Sequence, residues 1–239
     1  MGTLINALLI LVGGVIGLVF KKAVSKEMEF SVHKATGVAV LVIGVCGVLS
    51  VMLKAGADGK VSSSGELLLV VSLTLGTFVG ELLKLEERLN KGCKWIENKF
   101  KMSGFATGFI TSTMIYCVGA MAIVGSINDG LLGDSSTLVT KGILDGVTSV
   151  VLAASFGYGV LFSAIPVLLY QGGMTLLAGL LDNVLKGALL DNICMVGYAL
   201  VMCIGINFLY NGDKKIKTVN MLPSLLVPVG YAILKNVIG

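Results

Sequence analysis

The chain has 239 residues, of which 55% are hydrophobic and only 13% charged, with a net charge of +4 and a mean hydropathy of +0.93. A water-soluble domain carries about 25% charged residues, so this composition excludes an ordinary soluble fold. The small positive charge fits lysine-rich loops beside a membrane, and no nucleic-acid partner is expected from it.

Eight apolar stretches follow one another, near residues 2–20, 35–53, 66–83, 104–125, 138–157, 159–181, 189–210 and 219–237. Each is close to the 20 or so residues a helix needs to cross a hydrocarbon core about 30 Å thick. The chain reads as an all-α, polytopic transmembrane helix bundle. It forms a single domain over residues 1–239, because no Pro-, Ser- or charge-rich stretch is long enough to link two units. The first stretch has no basic residue before it and carries Lys21 and Lys22 after it, so it reads as a retained span rather than a cleaved signal peptide. Gly13 and Gly17, Gly76 and Gly80, and Gly104 and Gly108 are spaced for close helix packing, either inside the monomer or across a homo-oligomer.

Between the third and fourth stretches, Leu85, Leu89, Cys93, Ile96 and Phe100 recur at steps of three or four, with Glu86, Glu87, Arg88, Lys91, Lys94 and Lys99 in the other positions. The spacing predicts an amphipathic helix at about 85–101, lying on the inner membrane surface with Trp95 at headgroup depth. A partner-docking helix is the alternative.

The weakest division falls at Ser155-Phe156-Gly157-Tyr158-Gly159, where two spans must turn with almost no loop; seven spans with one long or broken helix is the competing count. Charge favours eight. The first, third and seventh gaps hold thirteen of the 18 basic residues, among them Lys21, Lys22, Lys26, Lys34, Arg88, Lys214 and Lys217. The even gaps and the C-terminus hold Lys54, Lys60, Lys141, Lys186 and Lys235, accompanied by Asp58, Asp129, Asp134, Asp182 and Asp191. The positive-inside rule then puts both termini outside, whereas seven spans would set the first and last lysine clusters on opposite sides.

Chemistry concentrates between Gly104 and Gly173. Lys141 and Asp145 stand one helical turn apart in the fifth span. A lone carboxylate there costs about 2.5–3.5 kcal/mol at the helix centre, so it is paired, wetted or used. One reading is an internal ion pair with Lys141 snorkelling; the other is a coupling-ion or proton site. In the sixth span, Pro166, Gln171, Gly172 and Gly173 suggest a helix break that frees backbone groups for an ion or polar solute, against a simple proline kink. Asn6, Ser72, Thr74, Thr77 and Asn207 read individually as interhelical hydrogen bonds. Cys46, Cys93, Cys117, Cys194 and Cys203 show no metal-ligand spacing, so neither a disulfide framework nor a metal or other cofactor is expected.

Several segments together resemble a known family. They are Cys117-Val118-Gly119-Ala120-Met121-Ala122-Ile123-Val124-Gly125-Ser126, Asp129-Gly130, Gly133-Asp134, Lys141 with Asp145-Gly146, and Phe162-Ser163-Ala164-Ile165-Pro166-Val167-Leu168-Leu169-Tyr170-Gln171-Gly172. They resemble the prokaryotic domain-of-unknown-function family 554, as do the opening Gly2-Thr3-Leu4-Ile5-Asn6-Ala7 and the closing Asn220-Met221-Leu222-Pro223-Ser224. The resemblance implies a multi-pass protein of a prokaryotic cell membrane, some members being labelled transporters, and it supplies no substrate or catalytic residue.

An inverted repeat is a further expectation. Leu11-Val12-Gly13-Gly14 loosely matches Tyr170-Gln171-Gly172-Gly173, and Val42-Ile43-Gly44-Val45 resembles Cys203-Ile204-Gly205-Ile206, in spans that run in opposite directions.

These features rank a transporter first, a structural or scaffolding membrane protein second and an intramembrane enzyme last. The chain has one histidine and neither an HExxH nor a GxSxG element. The expected cargo is a small cation, or a small polar solute coupled to one, held between spans four, five and six by Asp145 with Asn128, Ser163 and Gln171. Gly172, Lys141 and Asn6 complete the candidate set. Carboxylate, amide and hydroxyl oxygens suit hard cations such as sodium.

Overall fold

The computed structural model describes residues 1–21, 26–55, 59–101, 104–117, 120–181, 187–210 and 215–238. Lys22, Lys186, Lys214, Asp58 and Asp182 lie outside them. In chain order the elements are α1 (Gly2–Lys21), α2 (Lys26–Met52), strands β1 (Leu53–Ala55) and β2 (Val61–Ser63), α3 (Glu66–Leu83), α4 (Leu85–Phe100), α5 (Phe105–Cys117) and α6 (Ala120–Leu132). They continue with α7 (Ser136–Phe156), α8 (Gly159–Phe162), α9 (Ala164–Leu176), α10 (Ala178–Leu181), α11 (Ala188–Leu209), a 3-10 turn at Leu222–Leu226, and α12 (Val227–Ile238).

Every one of the eight apolar stretches falls on helix. By length and hydropathy α1, α3, α7, the run Gly159–Leu176 and α11 are five membrane-spanning helices. The pair α5 and α6, inclined at 61°, meets the same criteria only when taken together, as one broken span or a re-entrant loop. Shorter apolar helices at Gly37–Met52 and Leu222–Lys235 occupy the second and eighth stretches. The polypeptide is thus an all-α bundle of membrane-spanning helices, with one small antiparallel hairpin pairing Leu53 with Ser63 and Ala55 with Val61.

The helices group into two compact units, each made of two separate parts of the chain: Met1–Thr36 with Leu89–Val184, and Gly37–Arg88 with Leu185–Gly239.

The first unit is organised by α1 lying along α7. A Cβ at Gly2 would meet Leu138, one at Gly142 would meet Asn6, and Cβ atoms at Gly13 and Gly17 would collide with the carbonyl oxygens of Gly146 and Val150. Both numbers rise together, so the two helices run parallel with their backbones in contact. In lipid, where apolar side chains gain nothing by leaving the hydrocarbon, such close approach recovers dispersion energy. Against α9 the order reverses: Thr3 faces Thr175, Asn6 faces Gln171, and a Cβ at Gly14 would meet Leu161. The chain therefore turns back between α7 and α9, and it does so at Gly157, whose φ of 82° and ψ of −148° belong to a region open only to glycine. The doubtful division at Ser155–Gly159 is a true reversal. Along α7 the α5–α6 pair runs antiparallel, with Gly108 near Phe156, Tyr116 at Ser149 and Gly125 near Leu138. In α4 Cys93 is buried, and Glu97 accepts a hydrogen bond from the Ala106 amide at 3.2 Å.

The second unit pairs α2 with α11 in antiparallel order, since Cβ atoms at Gly37, Gly44 and Gly47 would meet Phe208, Met202 and Tyr198. α3 presents Gly76 and Gly80 to the segment around residues 220–224, where Gly76 abuts Ser224 and Gly80 abuts the Asn220 carbonyl. The helix directions deduced within the two units are compatible with an alternation of crossings, while five to six of the eight expected stretches have the length and hydropathy of a full span.

Candidate functional site

The sequence-selected polar residues of the first unit meet where α1, α5, α7 and α9 pack. Helical spacing explains the first part: Lys141, Asp145 and Ser149 recur every fourth residue, so α7 turns all three to one face, and all three are buried. Lys141 Nζ donates to Asp145 Oδ2 in a buried ion pair. The ammonium also stands 6.0 Å from the centre of the Tyr116 ring, and the Tyr116 hydroxyl and Ser149 hydroxyl are hydrogen-bonded at 2.7 Å.

On α1, Asn6 Nδ2 donates to Gln171 Oε1 of α9 at 3.1 Å, and the Asn6 amide also lies within reach of the Asp145 carboxylate. Both of these neighbours are acceptors, which fixes the Asn6 amide with its nitrogen toward them. Two bonded pairs therefore lie near one another, the Lys141–Asp145 ion pair and the Asn6–Gln171 amide pair. The amide pair is left partly unmatched. Asn6 Oδ1 and Gln171 Nε2 have no hydrogen-bond partner among the described residues, although both side chains have no solvent exposure. An unmatched buried polar atom costs about 1–3 kcal/mol, so an acceptor and a donor are left open here at a cost to the fold. One turn away, Thr3 and Thr175 hydroxyls stand 3.5 Å apart. Beside them only the Thr3 methyl comes within 4.0 Å of a Cβ placed at Gly172, and nothing comes within 4 Å at Gly173.

Four of the seven residues singled out from sequence are therefore brought together: Lys141, Asp145, Asn6 and Gln171, with Gly172 beside them. Asn128 is half-buried on α6 and shares no hydrogen bond with them. Ser163 is buried, but its hydroxyl donates to the Val160 carbonyl at 2.6 Å, and two turns of helix separate it from Gln171. The site also draws its first helix from span one rather than from spans four to six alone. The expected opening at Gln171–Gly173 does not occur, because the break falls at Ser163 and leaves Pro166 in the first turn of α9, where a missing N–H removes no helical bond. Sequence reasoning missed Tyr116, Ser149, Thr3 and Thr175. The last three lie one helical turn from residues already chosen, and that spacing was the available signal.

Comparison with known proteins decides the relationship. The model of the family described as "Protein of unknown function (DUF554)" matches residues 1–233. The chain belongs to this family. Two relatives agree with that assignment. One is "Uncharacterized membrane protein YdfK" of Bacillus subtilis (strain 168), 35% identical over 227 residues, 95% of this chain and 93% of the relative. The other is "Uncharacterized protein YqgA" of Escherichia coli (strain K12), 28% identical over 233 residues, again 95% and 93%. No solved structure matches. For this DUF554 member, as for the B. subtilis relative, the membrane is the established setting, and the hydrophobic helices supply the physical reason.

Proposed function

We propose that this DUF554 member is a transporter of a small ion, or of a small polar solute coupled to one, with its binding site at Lys141, Asp145, Asn6 and Gln171. The observation that carries the reading is the unmatched pair Asn6 Oδ1 and Gln171 Nε2 near a buried ion pair inside apolar helices. A protein whose only task was to hold helices together would lose nothing by replacing these groups, since exchanging a buried ion pair for well-packed apolar residues is often neutral or stabilising by about 1–4 kcal/mol. Retained polar groups at membrane depth are instead the usual mark of an ion or solute path. No catalytic step belongs to this reading. It sets the protein in the plasma membrane of a prokaryote with both termini outside, and it sets the exposed Lys91, Lys94, Trp95 and Lys99 of α4 at the inner surface.

The test is charge movement and solute flux in proteoliposomes under imposed sodium, proton and potassium gradients, beside an Asp145→Asn variant whose fold is checked by its size-exclusion profile and helicity. Flux in the wild type that is lost in a folded variant supports the reading. Silence of the wild type toward ions and solutes alike favours a scaffold, for which the backbone contacts of Gly13 and Gly17 with α7 are the supporting observation.

A further inference from the structure

In the second unit a cavity of about 630 Å³ opens between the end of α3, the first turn of α4 and the segment after α11. Its lining carries two carboxylates, Glu81 and Glu86, and two ammonium groups, Lys215 and Lys217, beside the apolar Ile216 and Met221. The backbone that carries these groups is tied down. Asn207 clasps Ile216 twice, Nδ2 donating to its carbonyl and Oδ1 accepting from its amide, both at 2.8 Å. The Glu86 amide donates to Asn220 Oδ1 at 2.7 Å, and Glu86 Oε2 accepts from the Val219 amide at 3.2 Å. A cavity whose walls are fixed beforehand loses less ordering entropy when it is filled.

Two of the four charges satisfy each other, because Lys217 Nζ stands 3.0 Å from the Glu81 carboxylate. The other two are open. Lys215 has no hydrogen bond or ion pair, and Glu86 Oε1 no hydrogen bond, with any other described residue. A simple anion in this cavity works against both carboxylates, and a simple cation works against both lysines. A group bearing a phosphate and an ammonium a few bonds apart meets Lys215 and Glu86 together and adds no net charge. Depth decides where such a group comes from. α3 is a membrane-spanning helix whose last turns expose Phe78 and Leu82, side chains that face hydrocarbon there, and Glu81 adjoins Leu82 two residues before the helix ends. The cavity therefore lies where hydrocarbon gives way to headgroups.

We infer that this cavity takes the headgroup of an aminophospholipid, its phosphate on Lys215 and its ammonium on Glu86, with the acyl chains lying along the exposed face of α3. The inference does not rest on the transporter reading, since none of its residues belongs to the Lys141–Asp145 or Asn6–Gln171 pair.

The experiment records thermal unfolding of the delipidated full-length protein in mixed micelles holding phosphatidylethanolamine, phosphatidylcholine or phosphatidylglycerol at equal mole fraction, and in lipid-free micelles with phosphoethanolamine. The choline headgroup has no N–H to donate to Glu86, and the glycerol headgroup has no ammonium. The expected result is greatest stabilisation by phosphatidylethanolamine, with little from phosphoethanolamine. Lys215→Met and Glu86→Gln, each compared with its own lipid-free melting, should weaken that binding by about tenfold, the effect of losing a charge-assisted hydrogen bond. Lys215 is exposed and unpaired among the described residues, so its substitution should leave the lipid-free protein folded. Equal stabilisation by the three lipids overturns the inference, as does a preference for phosphatidylglycerol, which would assign the effect to the lysines alone. Phosphoethanolamine acting as strongly as the lipid would make the ligand a soluble one and overturn the lipid assignment. A preference for phosphatidylethanolamine that survives both substitutions overturns the site. Flux in proteoliposomes is scored separately, so either reading can fail without the other.

Discussion

Asn6 and Gln171, 165 residues apart in sequence, share a 3.1 Å hydrogen bond at which neither side chain has any solvent exposure. The bond ties α1 to α9 and holds open the acceptor and donor that face away from it. Removing one partner strands the other's bonded atom as well, so Gln171→Leu or Asn6→Leu should each destabilise the protein by about 1–3 kcal/mol. The Asn6→Leu/Gln171→Leu double variant should lie closer to wild type than the two losses summed, because it removes both partners of the bond. Thermal or chemical unfolding in detergent micelles measures this, and additive losses would mean that the two amides act independently.

The Lys141–Asp145 pair gives a sharper cycle. Asp145→Leu alone leaves a buried ammonium without its counter-charge, and Lys141→Met alone leaves a buried carboxylate; either should cost about 3–5 kcal/mol. A Lys141→Met/Asp145→Leu variant removes both charges and should recover much of the lost stability while remaining inactive in transport and solute binding. That separation of fold from function is read by pairing unfolding curves with flux, and a double variant as active as wild type would remove the pair from the site.

The contrast between these two relationships explains what was legible beforehand. Membrane crossing is a local requirement on length and hydropathy, so the apolar helical stretches were readable, five to six of them with the length of a full span, as was Lys141 beside Asp145, which helical spacing alone brings together. The partner of Asn6 was not readable, because an amide in a span can meet any neighbouring helix and nothing local says which. Pro166 suggested a break reaching Gln171, yet the chain interrupts its helix three residues earlier, at Ser163, where α8 meets α9. The hairpin at Leu53–Ala55 and Val61–Ser63 was missed because three-residue strands carry no periodic signal.

Packing of α1 on α7 depends on glycine at specific points. A Cβ at Gly13 would run into the Gly146 carbonyl, a backbone atom that cannot rotate away, so Gly13→Ala should cost about 1–3 kcal/mol through forced separation of the helices. Gly92 in the middle of α4 has nothing within 4 Å of its would-be Cβ, and Gly92→Ala should stabilise by about 0.5–1 kcal/mol through reduced chain entropy. The two substitutions are chemically identical and opposite in sign. Equal effects on the melting temperature would show that α1 and α7 are less closely packed than described.

The α3–α4 junction carries a prediction in pH. α4 begins after Lys84, a non-glycine residue at φ 50°, and its Glu86 amide is capped from a distance by Asn220 Oδ1 at 2.7 Å, while the Glu86 carboxylate accepts from the Val219 amide at 3.2 Å. Asn220→Ala should cost about 1 kcal/mol, the usual loss for an N-terminal cap. Burial lifts Glu86 above the ordinary glutamate range, opposed by the Val219 amide and by Lys217. The folded protein then holds this proton more tightly than the unfolded chain, so the contribution favours the fold below the ordinary glutamate pKa and fades as pH rises through the raised value. Glu86→Gln should remove that acid-side gain and flatten the stability profile across the same interval. Unfolding curves collected from pH 4 to pH 7, a window bracketing the ordinary glutamate value of about 4.3, measure it, and an unchanged slope in the variant would assign the acid dependence to another group.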